Sequence, residues 1–397
     1  MQNKLENLYL RLKSVSVFEN VASSCVMRAL SEFIESLRYA DKYKTVEKYS
    51  SFIRELFRHS PSLGDYLLCE ISEDENVYVK ARCGSDTVQE CIRECAEREL
   101  TLFSEISELT PEELTGAADC GIPLPMFEVH PYNFVKEYAE RMSNIHRYGY
   151  GIFARYNMFT YSDGKIIPLT SSDKISVNDL IGYEEERGEV IENTLSLIHG
   201  KAASNILLYG DAGTGKSSTV KAVANMFAEE GVRLIELRRD QIICIPDILD
   251  KLHGNPLKFI LFIDDLSFTE NDGSLGTLKA ILEGSASARS GNTVIYVTSN
   301  RRHLVKETFS DRAGDDIHRR DTMQENISLS ERFGITILFS RPDKKMYFEI
   351  VKKLAAKKNI RIPETELTAR ADVYALKKGG YSPRAAEQFT NILSTEI

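Results

Sequence analysis

Gly210-Asp-Ala-Gly-Thr-Gly215-Lys216-Ser217 fits the pattern G-x-x-x-x-G-K-[ST] at every fixed position. Its flanks give the pattern weight. Asn205-Ile-Leu-Leu-Tyr209 reads as a buried strand, and Lys216 to Glu229 reads as a helix. A Gly-rich turn between the two lines up backbone N–H groups into a concavity for phosphate oxygens, at the positive end of the helix. Gly210, Gly213 and Gly215 let the backbone turn tightly and approach an anion, with Asp211, Ala212, Thr214 and Ser218 completing the cradle. Lys216 would reach the β- and γ-phosphates, and the Ser217 hydroxyl would ligate Mg²⁺. The expected ligand is a nucleoside triphosphate, ATP with Mg²⁺.

From about residue 176 strands and helices alternate, the mark of a parallel sheet covered by helices. Arg233-Leu-Ile-Glu-Leu237, Lys258-Phe-Ile-Leu-Phe-Ile-Asp264, Asn292-Thr-Val-Ile-Tyr-Val297 and Phe333-Gly-Ile-Thr-Ile-Leu-Phe339 join the first strand to make five. The third ends in Asp264-Asp265, where parallel sheets present their ligands. Asp264 would hold Mg²⁺, directly or through water, and the next carboxylate would polarise an attacking water. The fourth strand ends in Thr298-Ser299-Asn300, which would set a polar side chain beside the γ-phosphate to help position that water. Arg301 to Ser328 is a long polar insertion carrying Asp311, Asp315, Asp316, Arg319 and Arg320, and loops of that length are usually functional or mobile.

Residues 1 to about 165 read as mainly helical. Val26, Leu30, Phe33, Ile34 and Leu37 recur at helical spacing, as do Val46, Tyr49, Phe52, Ile53, Leu56 and Phe57, and another helix follows Asp86. Cys83, Cys91 and Cys95 lack a CxxC pair and nearby histidines, so they are expected to be buried structural thiols, not metal ligands. Phe127 to Tyr161 mixes Tyr and Phe with Lys136, Arg141, Arg147 and Arg155; it is expected to form an aromatic seam between domains. Ser162-Asp-Gly164 and Ser171-Ser-Asp173 read as a linker.

The chain of 397 residues has a net charge of −9. Residues 1–180 carry 20 basic and 28 acidic side chains and residues 181–397 carry 30 and 31. Neither part shows a basic nucleic-acid footprint, so that partner class is the less favoured one. No apolar run approaches a membrane span and the start has no signal-peptide pattern, so the expectation is a cytoplasmic chain, not a membrane protein. Its seven cysteines fit reduced thiols.

Ile191-Glu-Asn-Thr194, Gly210 to Ser218, Asp264-Asp-Leu-Ser-Phe268, Thr298-Ser-Asn-Arg-Arg-His-Leu304 and Ser328-Leu-Ser-Glu-Arg-Phe-Gly334 together resemble the AAA+ ATPases. More particularly they resemble the uncharacterised bacterial family called domain of unknown function 815, over about residues 150–397. The resemblance implies an α/β fold: an AAA+ P-loop core with a five-stranded parallel sheet between helices (166–341) and a small C-terminal helical lid (342–397). The mainly helical N-terminal domain (1–165) would recognise a partner. By the same resemblance Asn300 is the sensor-1 residue and Arg332 an arginine finger reaching a neighbouring copy's nucleotide. Arg384 is the sensor-2 arginine, and Leu180-Ile181-Gly182 packs against adenine.

Two departures stand out. The second acid of the strand is Asp265 where most such enzymes have Glu, and Thr269 stands where the family places Glu, with Glu270 following. Either Asp265 or Glu270 is the candidate base, and slow hydrolysis is plausible. Arg238-Arg-Asp-Gln-Ile-Ile-Cys244 lacks the aromatic-Gly pore loop of protein-threading rings, which argues against an unfoldase. The leading expectation is a Mg²⁺-dependent ATPase that forms a homo-oligomer, in the manner of a ring, and remodels a protein partner through its N-terminal domain. The alternatives are a nucleotide-gated switch with little hydrolysis, or a nucleic-acid remodeller of the helicase-loader kind.

Overall fold

A computed structural model of the chain describes residues 2–39, 41–84, 87–170, 175–268, 273–283, 291–300 and 331–396. It has two compact units, Met1–Arg155 and Tyr156–Ile397.

The first unit is helical, and its periodic apolar positions form its core. Helices Cys25–Ser36 and Lys42–His59 bury Phe33, Tyr49 and Phe52, with Phe33 and Tyr49 meeting edge to face at 5.2 Å. Helix Glu90–Ser107 buries Leu100, Phe103 and Ile106. Local chemistry starts two of its helices: the Asp41 side chain accepts from Lys44 N–H ahead of Lys42–His59, and Thr110 and Glu113 form a reciprocal capping box at the start of helix Pro111–Ala118. Of the residues expected in an aromatic seam, Phe127, Phe134 and Tyr138 lie in this unit's own core, and Phe159 and Tyr161 lie on the sheet of the second unit. The cysteines also differ from expectation. Cys91 is exposed, while Cys83 and Cys95 are half-buried. The helix turns Ala96, Glu99 and Leu100 inward and leaves Cys91 at its outer start.

Glu99 is a carboxylate that is 2% exposed. It accepts from Ser16 N–H at 2.8 Å, the Ser16 hydroxyl at 2.9 Å, Val17 N–H at 3.0 Å and Phe18 N–H at 2.9 Å. One side chain thus satisfies three consecutive backbone donors that enter the core. Truncation would strand them, at about 1–3 kcal/mol per group. Glu99→Ala is therefore expected to lower the urea midpoint of the first unit by about 3 kcal/mol or more in stability. A shift under about 0.5 kcal/mol would show that the network contributes little.

The second unit is built on a seven-stranded sheet, where five strands were expected. Its strands are β1 (Met158–Ser162), β2 (Lys165–Pro168), β3 (Ile206–Gly210), β4 (Val232–Leu237), β5 (Lys258–Ile263), β6 (Thr293–Ser299) and β7 (Ile335–Phe339). The order is β2-β1-β4-β5-β6-β3-β7. The five expected strands are mutually parallel; β1 adds to them in parallel with β4, and β2 runs antiparallel to β1. Ser162 pairs with Lys165, so Asp163-Gly164, both at positive φ, form a two-residue hairpin turn where the linker was expected to begin; its second part, 171–173, lies outside the described residues. Central β5 and β6 are buried along almost their whole length, as a sheet covered on both faces requires.

The chain leaves β3 for β4, returns through β5 and β6 to sit beside β3, and then places β7 on the other side of β3. This order reverses at β3, and a parallel sheet binds its ligands beyond the strand ends at such a point. Helix Lys216–Met226 follows β3. Helices Lys344–Lys357, Glu364–Lys377 and Pro383–Glu396 pack around Tyr347, Ile350, Val351, Ala371 and Phe389 as a small C-terminal bundle.

Candidate functional site

Gly210 ends β3 at φ +136°, and a Cβ there would lie 2.1 Å from the Phe339 carbonyl oxygen on β7. Only glycine lets the chain leave the sheet at this spot. Gly213 and Gly215 are also at positive φ, and Gly215 starts the eleven-residue helix Lys216–Met226. The loop thus ends on the positive pole of a helix, which favours an anion.

Lys216 is 6% exposed. Its ammonium donates to the Gly210 carbonyl at 2.8 Å, the Asp211 carbonyl at 2.7 Å and Asn300 Oδ1 at 3.3 Å. Burial lowers its pKa below the ordinary lysine value, and Asp265, Asp211 and Asp264 pull it back up. The side chain is therefore a desolvated cation held by neutral acceptors, and an arriving polyanion would compensate it far better.

Asp264 gathers the next strand ends. Its Oδ1 accepts from the Ser217 hydroxyl at 2.5 Å, the Thr298 hydroxyl at 2.5 Å and Asp265 N–H at 3.1 Å. Asp265 sits at φ +49°, in the left-handed region that costs a non-glycine residue energy and that concentrates at functional positions. Two contacts hold it there: its N–H donates to Thr298 Oγ1 at 2.9 Å, and its carboxylate accepts from Asn300 Nδ2 at 2.6 Å. Asn300 thus joins Lys216 to Asp265. Thr298 was not singled out from the sequence, yet its hydroxyl locks both acids.

These residues open onto a cavity of about 860 Å³. Ala212 to Thr219, Asp264, Asp265, Thr298 and Asn300 line one part of it, and Leu180, Ile181, Ile350 and Leu354 line another. Gly210 and Asp211 do not line it; the Asp211 carboxylate accepts from Arg341 N–H at 3.2 Å. Arg384 lines the cavity from the C-terminal bundle, and its N–H donates to the Gly213 carbonyl at 3.3 Å. Asp179, Lys357 and Lys358 also line it, and Asp179 pairs with Lys357. No local motif marks that pair, which only the folded chain brings together. Arg332 does not line this cavity; it pairs with Glu283 at 2.6 Å. Glu270 and the 301–328 insertion lie outside the described residues.

The donor set fits a magnesium nucleotide. No cluster of three or more His, Cys, Asp or Glu that could hold a metal occurs among the described residues. A site offering one hydroxyl and one carboxylate suits Mg²⁺, which takes its other ligands from phosphates and water. The cavity has the size of a small-molecule site, with a polar cradle and an apolar wall that match phosphate and base.

The family described as a protein of unknown function (DUF815) matches residues 153–397. Similar curated proteins include an ORC1-type DNA replication protein of Picrophilus torridus, 40% identical over 67 residues, which are 17% of this chain and 16% of that protein. The replication factor C large subunit of Nanoarchaeum equitans is 26% identical over 245 residues, 58% of this chain and 49% of its own. The chain thus spans half or less of each curated relative. Among solved structures, DnaA of Aquifex aeolicus bound to AMPPCP is 18% identical with a TM-score of 0.40, over 56% of this chain and 66% of that one. The RuvB Holliday junction branch migration motor of Thermotoga maritima is 18% identical with a TM-score of 0.37, over 55% and 63%.

Proposed function

We propose that this chain, which belongs to the family described as a protein of unknown function (DUF815), is a Mg²⁺-dependent ATPase of the AAA+ type. The observation that carries the proposal is the convergence of Lys216, Ser217, Asp264, Asp265 and Asn300 from three strand ends onto one cavity.

Bound ATP would supply the scissile phosphoryl bond, and its Mg²⁺ the charge that neutralises the phosphates. The protein's part is positioning. Lys216 would exchange two carbonyl partners for phosphate oxygens, and Ser217 and Asp264 would hold the metal. Asn300 fixes the Asp265 carboxylate at 2.6 Å, where it would orient the attacking water; Glu270 is the other candidate for that task. Ile181 and Leu180 would cover the base, and Arg384 would touch the nucleotide from the C-terminal bundle. Arg332 would act on the nucleotide of an adjacent copy, so the working form is a homo-oligomer. The helical first unit would bind a protein partner. A nucleic-acid partner remains less favoured, for charge reasons, and binding that collapses with rising salt would reveal it.

Titrating ATP calorimetrically with and without Mg²⁺ tests the site. Mg²⁺ is expected to tighten ATP binding to the wild type at least tenfold, and Asp264→Asn to abolish most of that gain while leaving metal-free binding within threefold. An unchanged Mg²⁺ effect in Asp264→Asn would remove Asp264 from the metal site.

A second reading has its own support. Asp265 is one methylene shorter than Glu, and its Oδ1 is already engaged by Asn300. Both features favour slow turnover, and a chain that binds ATP tightly yet releases almost no phosphate would be a nucleotide-gated switch.

A further inference from the structure

In the first unit, far along the chain from the phosphate loop, a nucleophile and a base stand side by side. Cys25 is the first residue of the twelve-residue helix Cys25–Ser36, and His59 is the last of helix Lys42–His59. Cys25 Sγ lies 3.3 Å from His59 Nε2, within hydrogen-bond distance, and in the tautomer protonated on Nδ1 the thiol donates to the ring. The Tyr66 ring flanks His59, with centroids 5.6 Å apart. Burial above all keeps the Tyr66 phenol protonated, with Glu70 and Cys25 adding to the effect. His59 is exposed and Cys25 half-buried, so small molecules reach the pair. Two other thiols set the contrast. Burial, with help from the Glu73 carboxylate, pushes the Cys69 thiol up to about 11. Burial pushes Cys83 up to about 11 as well.

We propose that Cys25 and His59 form a nucleophile–base pair that makes Cys25 the reactive thiol of this chain, open to modification by small electrophiles and peroxides. His59 takes the thiol proton on Nε2. The resulting thiolate sits on the first residue of its helix, Cys25–Ser36, whose positive end favours an anion. With hydrogen peroxide, a sulfur lone pair attacks one oxygen, so an S–O bond forms as the O–O bond breaks. The sulfur loses two electrons, and the peroxide gains them. The departing hydroxide takes the proton from His59 and leaves as water, so thiol and peroxide become sulfenic acid and water. The pair needs no nucleotide, and the inference stands apart from the ATPase reading.

The test is competitive labelling of the whole chain with sub-stoichiometric iodoacetamide at pH 7, followed by peptide mass mapping of all seven cysteines. Cys25 is expected to react at least tenfold faster than Cys69 and Cys83. In His59→Gln the Cys25 rate should fall about tenfold while the Cys120 and Cys244 rates stay unchanged, which also reports that the variant is folded. Peroxide followed by dimedone should mark the same residue. Cys25 reacting no faster than Cys69 in the wild type would overturn the proposal. The wild-type measurements decide the matter even if the variant does not fold.

Discussion

Lys216→Ala is expected to weaken ATP binding by at least a hundredfold, equivalent to about 3 kcal/mol. The reason lies in the setting of the ammonium. It is almost completely buried, its pKa is held down by desolvation, and among the described residues it donates to two carbonyl oxygens and one amide oxygen. A phosphate would restore to it a full charge-assisted hydrogen bond, worth roughly twice a neutral one. The loop itself is fixed by other means, including the positive φ angles of its glycines and the Thr214 hydroxyl on the Asp211 carbonyl at 2.9 Å. The variant should therefore keep its fold and lose its ligand. Thermal unfolding reads both at once. ATP at 100 times its wild-type Kd should stabilise the wild type by about 2.7 kcal/mol, whereas the same concentration should stabilise the variant by about 0.4 kcal/mol or less. A variant stabilised by ATP as much as the wild type would show that the nucleotide sits elsewhere.

Arg332→Ala should leave ATP affinity within about threefold and lower turnover by about a thousandfold, the scale on which such guanidiniums act in phosphoryl transfer. Within one chain Arg332 pairs with Glu283 and does not line the cavity beside Lys216. Any action on chemistry would then come through a second copy. The ion pair is part-exposed, with side-chain exposures of 30% and 53%, so its loss should cost under about 1 kcal/mol of stability. Glu283→Ala separates the two roles, since it breaks the pair but keeps the guanidinium. That variant should turn over ATP near the wild-type rate. If Arg332→Ala hydrolysed at the wild-type rate, the trans role would be wrong. If both variants lost activity alike, the ion pair and not the free guanidinium would be what matters.

The parts of this site that are contiguous in the chain were readable from it. The phosphate loop needs eight consecutive residues between a strand and a helix, and Asp264-Asp265 needs only an apolar strand in front of it. Asn300 was placed by the same logic, as the polar end of β6. Thr298 was harder, because its importance comes from two hydrogen bonds to Asp264 and Asp265, more than thirty residues earlier in the chain. Asp179 and Lys357 come from still more distant segments and carry no motif. The first two strands were missed for a local reason. Met158-Phe-Thr-Tyr161 continues an aromatic run that hid its alternation, and Asp163-Gly164 is a hairpin signal that was taken for a linker. Cys91 shows the limit of helical patterning: a small apolar side chain near a helix start needs no burial, and it is exposed.

On this reading the cavity binds and hydrolyses ATP with help from a neighbouring copy. Phosphate release per chain, followed with Mg²⁺ over a wide range of protein concentration, tests it most directly, with Lys216→Ala as the blank. The specific rate should climb with concentration and then level, with no release from Lys216→Ala. A substantial rate that is independent of concentration, or one that survives in Lys216→Ala, would contradict it.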